Sequence, residues 1–291
     1  MVLYTWWQPV FCMAFKQLLL GKLQAALGFY YSDSSLLEKQ RDRHIPLYRA
    51  KDDNQVLYVS GIALRLSRAS NIPALEIATV VSSQLVRQVE SSSGVPALDA
   101  GSYNRTADDF TVQVIPPGWI HLHIREPAIA SWLQRLACMP PEPSNYLTSP
   151  PPLGNTSRLF AVQYAHARCC SLVRLADRDG TLTLEPIPWL NSKEQLRFCH
   201  PTERALIAAL VEVLDDLYCP SPSRQMINWE KAALNLSQAF QNFYSCCRIW
   251  GEVKIENIHL AQARLGLVMA TRSVLRLLLQ NLFGVCTPLE L

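Results

Sequence analysis

The side chains best suited to recognition chemistry stand close together in the run Phe160-Ala-Val-Gln163-Tyr164-Ala-His166-Ala-Arg168-Cys-Cys-Ser171-Leu-Val-Arg174. Tyr164 and Arg168 are four apart, so a helix places them on one face. There a guanidinium can pair with a phosphate while the phenol ring stacks on an unpaired base. The same two residue types also suit a helix-bundle seam, with the tyrosine packed and the arginine salt-bridged beside it. Gln163 and His166 fall toward the other side of such a helix. Further along, Tyr244 and Arg248 repeat the spacing of four. Arg248 is the RNA candidate in a neighbourhood of Phe240, Phe243, Tyr244 and Trp250, rings that otherwise read as core. Arg264 shares a stripe with Val268, Thr271 and Leu275, as either a paired structural arginine or a phosphate contact. Trp119 and His121, on an alternating segment, complete the candidates.

Other chemistries find little support. His200, Glu203, Asp215 and Asp216 could be imagined as a catalytic carboxylate set, but at helical spacing they read as a solvated face. The nine cysteines include the adjacent pairs Cys169-Cys170 and Cys246-Cys247. Adjacent cysteines rarely bridge each other, and no zinc-type spacing occurs. They are expected to be buried, reduced thiols in a cytoplasmic protein. No metal, cofactor or catalytic residue is expected, and neither G-x-x-x-x-G-K-[ST] nor G-x-G-x-x-G is present.

The elements that must position these residues follow from periodicity. Phe15, Leu18, Leu19, Leu23 and Leu27 predict a helix over 14–28. Residues 55–70 form a second amphipathic segment, broken at Asn71-Ile72-Pro73. Pro73 suits the first turn of a helix running to about Val89. A Ser- and Gly-rich stretch, 90–104, follows. Asp109–Ile115 and Trp119–Ile124 alternate apolar and polar around Pro116-Pro117-Gly118, predicting a hairpin. Residues 127–137 read as a short helix. The prolines of 138–157 predict a linker and domain boundary. Helices are then expected over 158–177, 203–218 with Thr202 as N-cap, 229–250, and 259–282 closed by Gly284. Four helices with one apolar face make a bundle.

Composition is permissive. A length of 291 residues suits two domains at about 150 each. Residues 1–157 carry 13 Lys+Arg and 12 Asp+Glu, and residues 158–291 carry 14 and 12. Neither half is strongly basic, so any RNA surface depends on where the charges sit. The apolar run with Trp6, Trp7, Val10 and Phe11 is far shorter than the roughly 20 residues of a membrane span and lacks a basic leader. No membrane association is expected, and Met13 reads as an alternative translation start.

The run Val162–Ser171 resembles the opening helix of the DALR anticodon-binding domain of arginyl-tRNA synthetases, whose pattern is close to Val-Gln-Tyr-Ala-x-Ala-Arg-x-x-Ser. Three later blocks continue the resemblance in order: Glu203-Arg-Ala-Leu-Ile-Ala-Ala-Leu210, Ala239-Phe240-Gln-Asn-Phe243-Tyr244-Ser-Cys-Cys-Arg248, and Ala263-Arg264-Leu265-Gly-Leu267-Val268-Met-Ala270-Thr271-Arg-Ser-Val-Leu275. The N-terminal part resembles the family's additional domain, which contacts the tRNA D-loop corner. It does so through a helix pair over 59–85 and through Pro117-Gly118-Trp119-Ile120-His121-Leu122, close to Pro-Gly-Phe-Ile-Asn-Phe. Trp119 stands for Phe and His121 for Asn. The family's Pro-x-Arg-Met tail is here Pro288-Leu-Glu-Leu291.

The resemblance implies an α+β N-terminal domain of helices and a small antiparallel sheet over 13–137, the Pro-rich linker 138–157, and an all-α DALR bundle over 158–291. It further implies tRNA binding, tRNA-Arg first, through Gln163, Tyr164, His166, Arg168, Tyr244, Arg248 and Arg264, with Trp119 and His121 at the D-loop. Synthetases carry an ATP-binding catalytic fold with HIGH-like and KMSK-like motifs between these parts. Here that interval is the linker, and His121-Leu-His123 lies on a strand without glycine or a helix N-terminus to hold phosphate. The expectation is a non-catalytic tRNA-binding protein, working beside a tRNA-modifying enzyme or a synthetase. The alternatives are a protein-interaction scaffold that has lost RNA binding, or an accessory subunit of an arginine-tRNA ligase.

Overall fold

The computed structural model describes residues 14–32, 44–52, 55–91, 109–140, 156–182, 186–220, 227–285 and 287–290. The apolar N-terminal run, Met13, most of the Ser/Gly stretch and residues 141–155 of the Pro-rich segment lie outside the described residues. The chain divides into two compact units. The first comprises the described parts of Met1–Ala50, Leu57–His123 and Leu214–Ser223, and the second those of Lys51–Val56, Ile124–Val213 and Arg224–Leu291. This partition differs from a boundary at the prolines. Residues 126–137 group with the second unit, and residues 214–223 group with the first.

In the first unit α1 (Phe15–Ser32) buries Phe15, Leu19, Leu23, Ala26 and Leu27, a spacing that keeps one face inward. Strands β1 (Leu47–Arg49) and β2 (Leu57–Ser60) follow. The expected continuous amphipathic segment over 55–70 is corrected here. Leu57, Tyr58 and Ser60 are all buried, because β2 is a central strand paired antiparallel to β1 and to β4. A strand covered on both faces lacks the alternation that would mark it. Only after Gly61 does α2 (Ile62–Ser70) begin. It ends at Asn71 in the left-handed conformation, φ 56°, with the Asn71 N–H on Ser67 O at 3.1 Å. The helix α3 (Ala74–Ser91) buries Ile77, Ala78, Val81 and Leu85 and packs on α1, α2 and β3.

Strands β3 (Phe110–Ile115) and β4 (Trp119–Ile124) form the expected hairpin, and the sheet order is β1-β2-β4-β3. β4 buries Ile120, Leu122 and Ile124 and turns Trp119, His121 and His123 to the opposite face. Each fully buried Ile or Leu contributes about 1.5–3 kcal/mol. Gly118 makes the turn possible: its φ is 149°, and a Cβ there would lie 2.8 Å from the Ala74 Cβ and 2.9 Å from its backbone.

Asp215 fastens residues 214–223 into this unit. Its Oδ1 accepts from the Lys16 backbone N–H at 3.0 Å, its Oδ2 accepts from the Tyr58 hydroxyl, and Lys16 Nζ donates to Cys219 O at 2.9 Å. Burial pushes the Asp215 carboxyl up to about 6, against the opposing pull of the Tyr58 and Lys16 hydrogen bonds and the Arg49 and Lys16 charges.

The second unit is a helical bundle around α9 (Ile258–Leu277), which is buried over most of its circumference. Against it pack α4 (Glu126–Ala137), α5 (Thr156–Arg178), α7 (Trp229–Cys246) and α8 (Glu252–Glu256). Gly266 permits one close approach, since a Cβ there would meet the Trp189 ring at 2.6 Å. The chain leaves α9 through a π-helical turn, Leu278–Leu282, and Gly284 has φ 59° as expected of a residue past a helix end.

Two expected boundaries move. α6 runs Pro201–Tyr218, so Pro201 holds the first helical position and Thr202 is inside the helix rather than capping it. Glu203 reaches back instead, accepting from the His200 N–H at 2.8 Å. α7 stops at Cys246, and Trp250 lies beyond it with Nε1 donating to Asp179 Oδ2 at 2.5 Å.

Candidate nucleic-acid interface

The solvent face of α5 and the adjoining end of α7 carry the candidate surface. α5 buries Leu159, Val162, Ala165, His166, Cys169, Cys170 and Leu172, which leaves the positions four apart from Phe160 facing outward. Phe160 is 55% and Tyr164 43% exposed, and the two rings stack with centroids 6.5 Å apart and planes 27° apart. One turn on, the Arg168 guanidinium lies 4.8 Å from the Tyr244 ring centroid, and its Nη2 donates to the Tyr244 hydroxyl at 3.0 Å. Tyr244 in turn stacks on the buried Phe240 at 6.3 Å. Tyr164 is therefore not in a seam, and the partner of Arg168 is a ring rather than a carboxylate. An exposed cation–π contact of this kind contributes about 0.5–1 kcal/mol and holds both groups in place. The result is an open aromatic surface beside a positive charge, a combination whose chemistry suits stacking on planar rings.

The remaining candidates are placed differently. Arg248 is exposed just beyond α7. Arg264 is not a surface residue: its Nε donates to the fully buried Glu203 at 2.6 Å and its Nη1 to Arg248 O at 2.7 Å. It ties the start of α6 to the segment after α7. Glu203 and Asp215 correct the solvated-face reading, since both are buried and each is held by its own partners.

His166 is also buried, at 2% exposure. Its Nδ1 lies 3.1 Å from Pro288 O; a carbonyl only accepts, so this nitrogen carries the proton. Burial holds the imidazole below its ordinary pKa; the Pro288 bond opposes this, and the Arg272 and Arg276 charges reinforce it. Gln163 is half-buried. Trp119 is 37% exposed with its ring against Gly61, and His121 stands opposite Val59 on the same face of the first unit's sheet.

The thiols also depart from expectation. Among the described cysteines, all free, Cys169, Cys170 and Cys247 are buried but Cys138, Cys199 and Cys246 are exposed. Burial raises the Cys169, Cys170 and Cys247 pKa values, which keeps them as thiols. Among the described residues no cluster of His, Cys, Asp and Glu could hold a metal ion, and no helix is long and apolar enough to cross a membrane.

Phe160 is the functional candidate that residue-by-residue reading misses. Its signal was present, four residues before Tyr164, but depended on knowing which face of α5 is covered.

The same stretch of chain is matched by a known family. Residues 162–291 match the DALR anticodon binding domain. The C-terminal region is similar to arginine–tRNA ligases. That of Synechococcus sp. is 35% identical over 127 residues, 44% of this chain and 21% of the ligase. That of Ruminiclostridium cellulolyticum is 31% identical over 134 residues, 46% of this chain and 22% of the ligase. That of Gloeobacter violaceus is 37% identical over 119 residues, 40% of this chain and 20% of the ligase. The chain thus spans about a fifth of the length of the curated relatives it matches. No solved structure matches it. Tyr164, Arg168, Tyr244 and Arg248 all fall inside the matched region, and Phe160 stands just before it.

Proposed function

We propose that this chain holds a tRNA, tRNA-Arg being the first to test, on the α5–α7 face of its DALR domain, without an aminoacylation reaction of its own. The observation that carries the reading is the exposed Phe160–Tyr164 stack continued by the Arg168–Tyr244 pair. Rings held open to solvent within a domain of anticodon-binding type suit unpaired loop bases, while Arg168 and Arg248 suit the phosphates between them. Trp119 and His121, side by side on the sheet face of the first unit, are proposed to meet the D-loop corner. A protein of this kind would present its tRNA to a modifying enzyme or a synthetase in the cytoplasm.

The test is fluorescence anisotropy with a tRNA-Arg transcript and an unrelated tRNA across a salt series. Base stacking is worth about 1–3 kcal/mol per base, so Tyr164→Ala should weaken binding roughly 5- to 150-fold. Arg168→Ala should weaken it and flatten the salt dependence. Absence of binding at low salt, or an unchanged affinity in Tyr164→Ala, refutes the reading. A second reading, a protein-interaction scaffold, draws on the near-neutral charge of +3 and on the apolar character of the same exposed rings. It would be favoured by that negative result.

A further inference from the structure

Between α6 and α7 of the second unit lies a cavity of about 240 Å³, lined among the described residues by Thr202 and Ala205 of α6 and Asn235, Gln238, Ala239 and Asn242 of α7. The α7 residues recur three and four apart, which turns them to one flank of that helix. None of the six side chains is charged, so the lining offers a phosphate nothing. Ala205 and Ala239 supply small apolar surface, and the other four supply hydrogen-bonding groups. Two of these are held in set orientations. His200 Nδ1 accepts from the Thr202 backbone N–H at 3.3 Å, so this nitrogen carries no proton. The Thr202 hydroxyl, 2.8 Å from the same nitrogen, therefore donates to it. Cys247 Sγ, 3.3 Å from the hydroxyl oxygen, then supplies its own S–H, and Thr202 Oγ1 keeps only accepting capacity for a ligand. Gln238 Nε2 donates to Asn242 Oδ1 at 2.9 Å, which leaves Gln238 Oε1 turned to accept and Asn242 Nδ2 to donate. Asn235, exposed at the rim, adds a carbonyl and an amide.

From this we infer that the α6–α7 cavity receives one unpaired nucleobase bearing an exocyclic amino group, adenine being the first to test. A base has apolar faces for the two alanines and a hydrogen-bonding edge for the amides. Its amino group suits the acceptors Thr202 Oγ1 and Gln238 Oε1, while the adjacent ring nitrogen suits the Asn242 amide; side-chain amides pair with adenine in this donor-and-acceptor fashion. The cavity is smaller than the roughly 300–1,000 Å³ that a drug-sized ligand fills, which suits one ring system rather than a whole nucleotide or a peptide. The inference rests on the tRNA-binding reading for the source of the base. Tyr244, two residues beyond Asn242, is turned about 200° from it around α7 at 3.6 residues per turn. The cavity is therefore a second site on the far flank of the helix that carries Tyr244, and a loop that lays one base on the Phe160–Tyr164 stack would bring another across α7.

The experiment uses the full chain as wild type, Gln238→Ala/Asn242→Ala, and Ala239→Leu, which fills the cavity instead of stripping its edge. Alanine and leucine are strong helix formers, so α7 persists in both variants. Adenosine, which carries no phosphate, is titrated by NMR while the side-chain amide signals of Asn235, Gln238 and Asn242 are followed. Purine riboside, the same ring without the amino group, is the control, and tRNA-Arg transcript is measured by anisotropy across a salt series. Adenosine should shift the three amides of the wild type, purine riboside should shift them far less, and Ala239→Leu should abolish the response. Each variant should weaken tRNA binding roughly fivefold or more. The log–log salt slope should stay unchanged, because no phosphate contact is lost, in contrast to Arg168→Ala. If adenosine finds the cavity but no tRNA binds to the wild type, the base site stands and the tRNA reading fails. If tRNA binds the wild type and both variants alike, the tRNA reading stands and this inference is overturned. Amides unmoved by adenosine, or moved equally by purine riboside, overturn it whatever tRNA does.

Discussion

Replacing Asp215 by Asn should change how stability depends on pH more than it changes stability itself. The Asp215 carboxyl is pushed up to about 6 from 3.8, chiefly by burial, against the hydrogen bonds from Tyr58 and the Lys16 backbone. The folded state therefore holds the proton more tightly than the unfolded chain. The stabilisation is fully present below the unfolded value of 3.8 and is lost as pH rises through about 6. The complete span is roughly 3 kcal/mol at 1.36 kcal/mol per unit. Between about pH 5 and pH 7 the single-site linkage expression gives roughly 1.3 kcal/mol. Asn offers Oδ1 to the Lys16 N–H and an amide donor to the Tyr58 oxygen, so both contacts survive without a charge. Urea unfolding of the wild type and Asp215→Asn should show the variant gaining on the wild type by about 1.3 kcal/mol from pH 5 to pH 7. A stability difference that stays constant over that interval would mean that the Tyr58 and Lys16 hydrogen bonds offset the burial, and the reasoning fails.

Arg264→Ala should cost about 3–5 kcal/mol, because it strands the Glu203 carboxylate, which is fully buried. The double variant Glu203→Gln/Arg264→Met should recover much of that loss in the same unfolding assay, and no recovery would argue against an ion-pair origin. Gly118→Ala should destabilise the first unit by on the order of 3 kcal/mol, combining a left-handed φ with overlap onto Ala74. A change below about 0.5 kcal/mol in denaturant unfolding would show that the turn relaxes freely.

What could be read in the chain beforehand was whatever repeats locally. α1, α3, α5 and α6 keep one apolar face at helical spacing, and the β3–β4 hairpin alternates cleanly around its prolines and Gly118. β2 was hidden because Leu57 and Tyr58 are both buried, so the strand shows no polar side to betray its period. The burial of Glu203 and Asp215 was illegible for another reason. The partner of Glu203 lies 61 residues away and that of Asp215 lies 157 away, and a carboxylate on a helix reads as solvated until such partners are known. At the candidate interface the residue types and the i, i+4 spacing were visible. The stacking of Phe160 on Tyr164, the use of Tyr244 by Arg168 and the burial of His166 depend on which neighbours cover α5.

The discontinuity of the first unit has a consequence in time as well as in space. The hydroxyl of Tyr58 finds its acceptor 157 residues further along the chain. At a synthesis rate of about 5–20 residues per second, the wait is roughly 8–30 s. During it α3, β3 and β4 are made in turn, while the Lys16 amide and the Tyr58 hydroxyl await the Asp215 carboxylate. The unit that begins first on the ribosome is closed only by residues that arrive after α5 and most of α6 have emerged. In the order of assembly it cannot be finished before α5 and most of α6 of the second unit have been made.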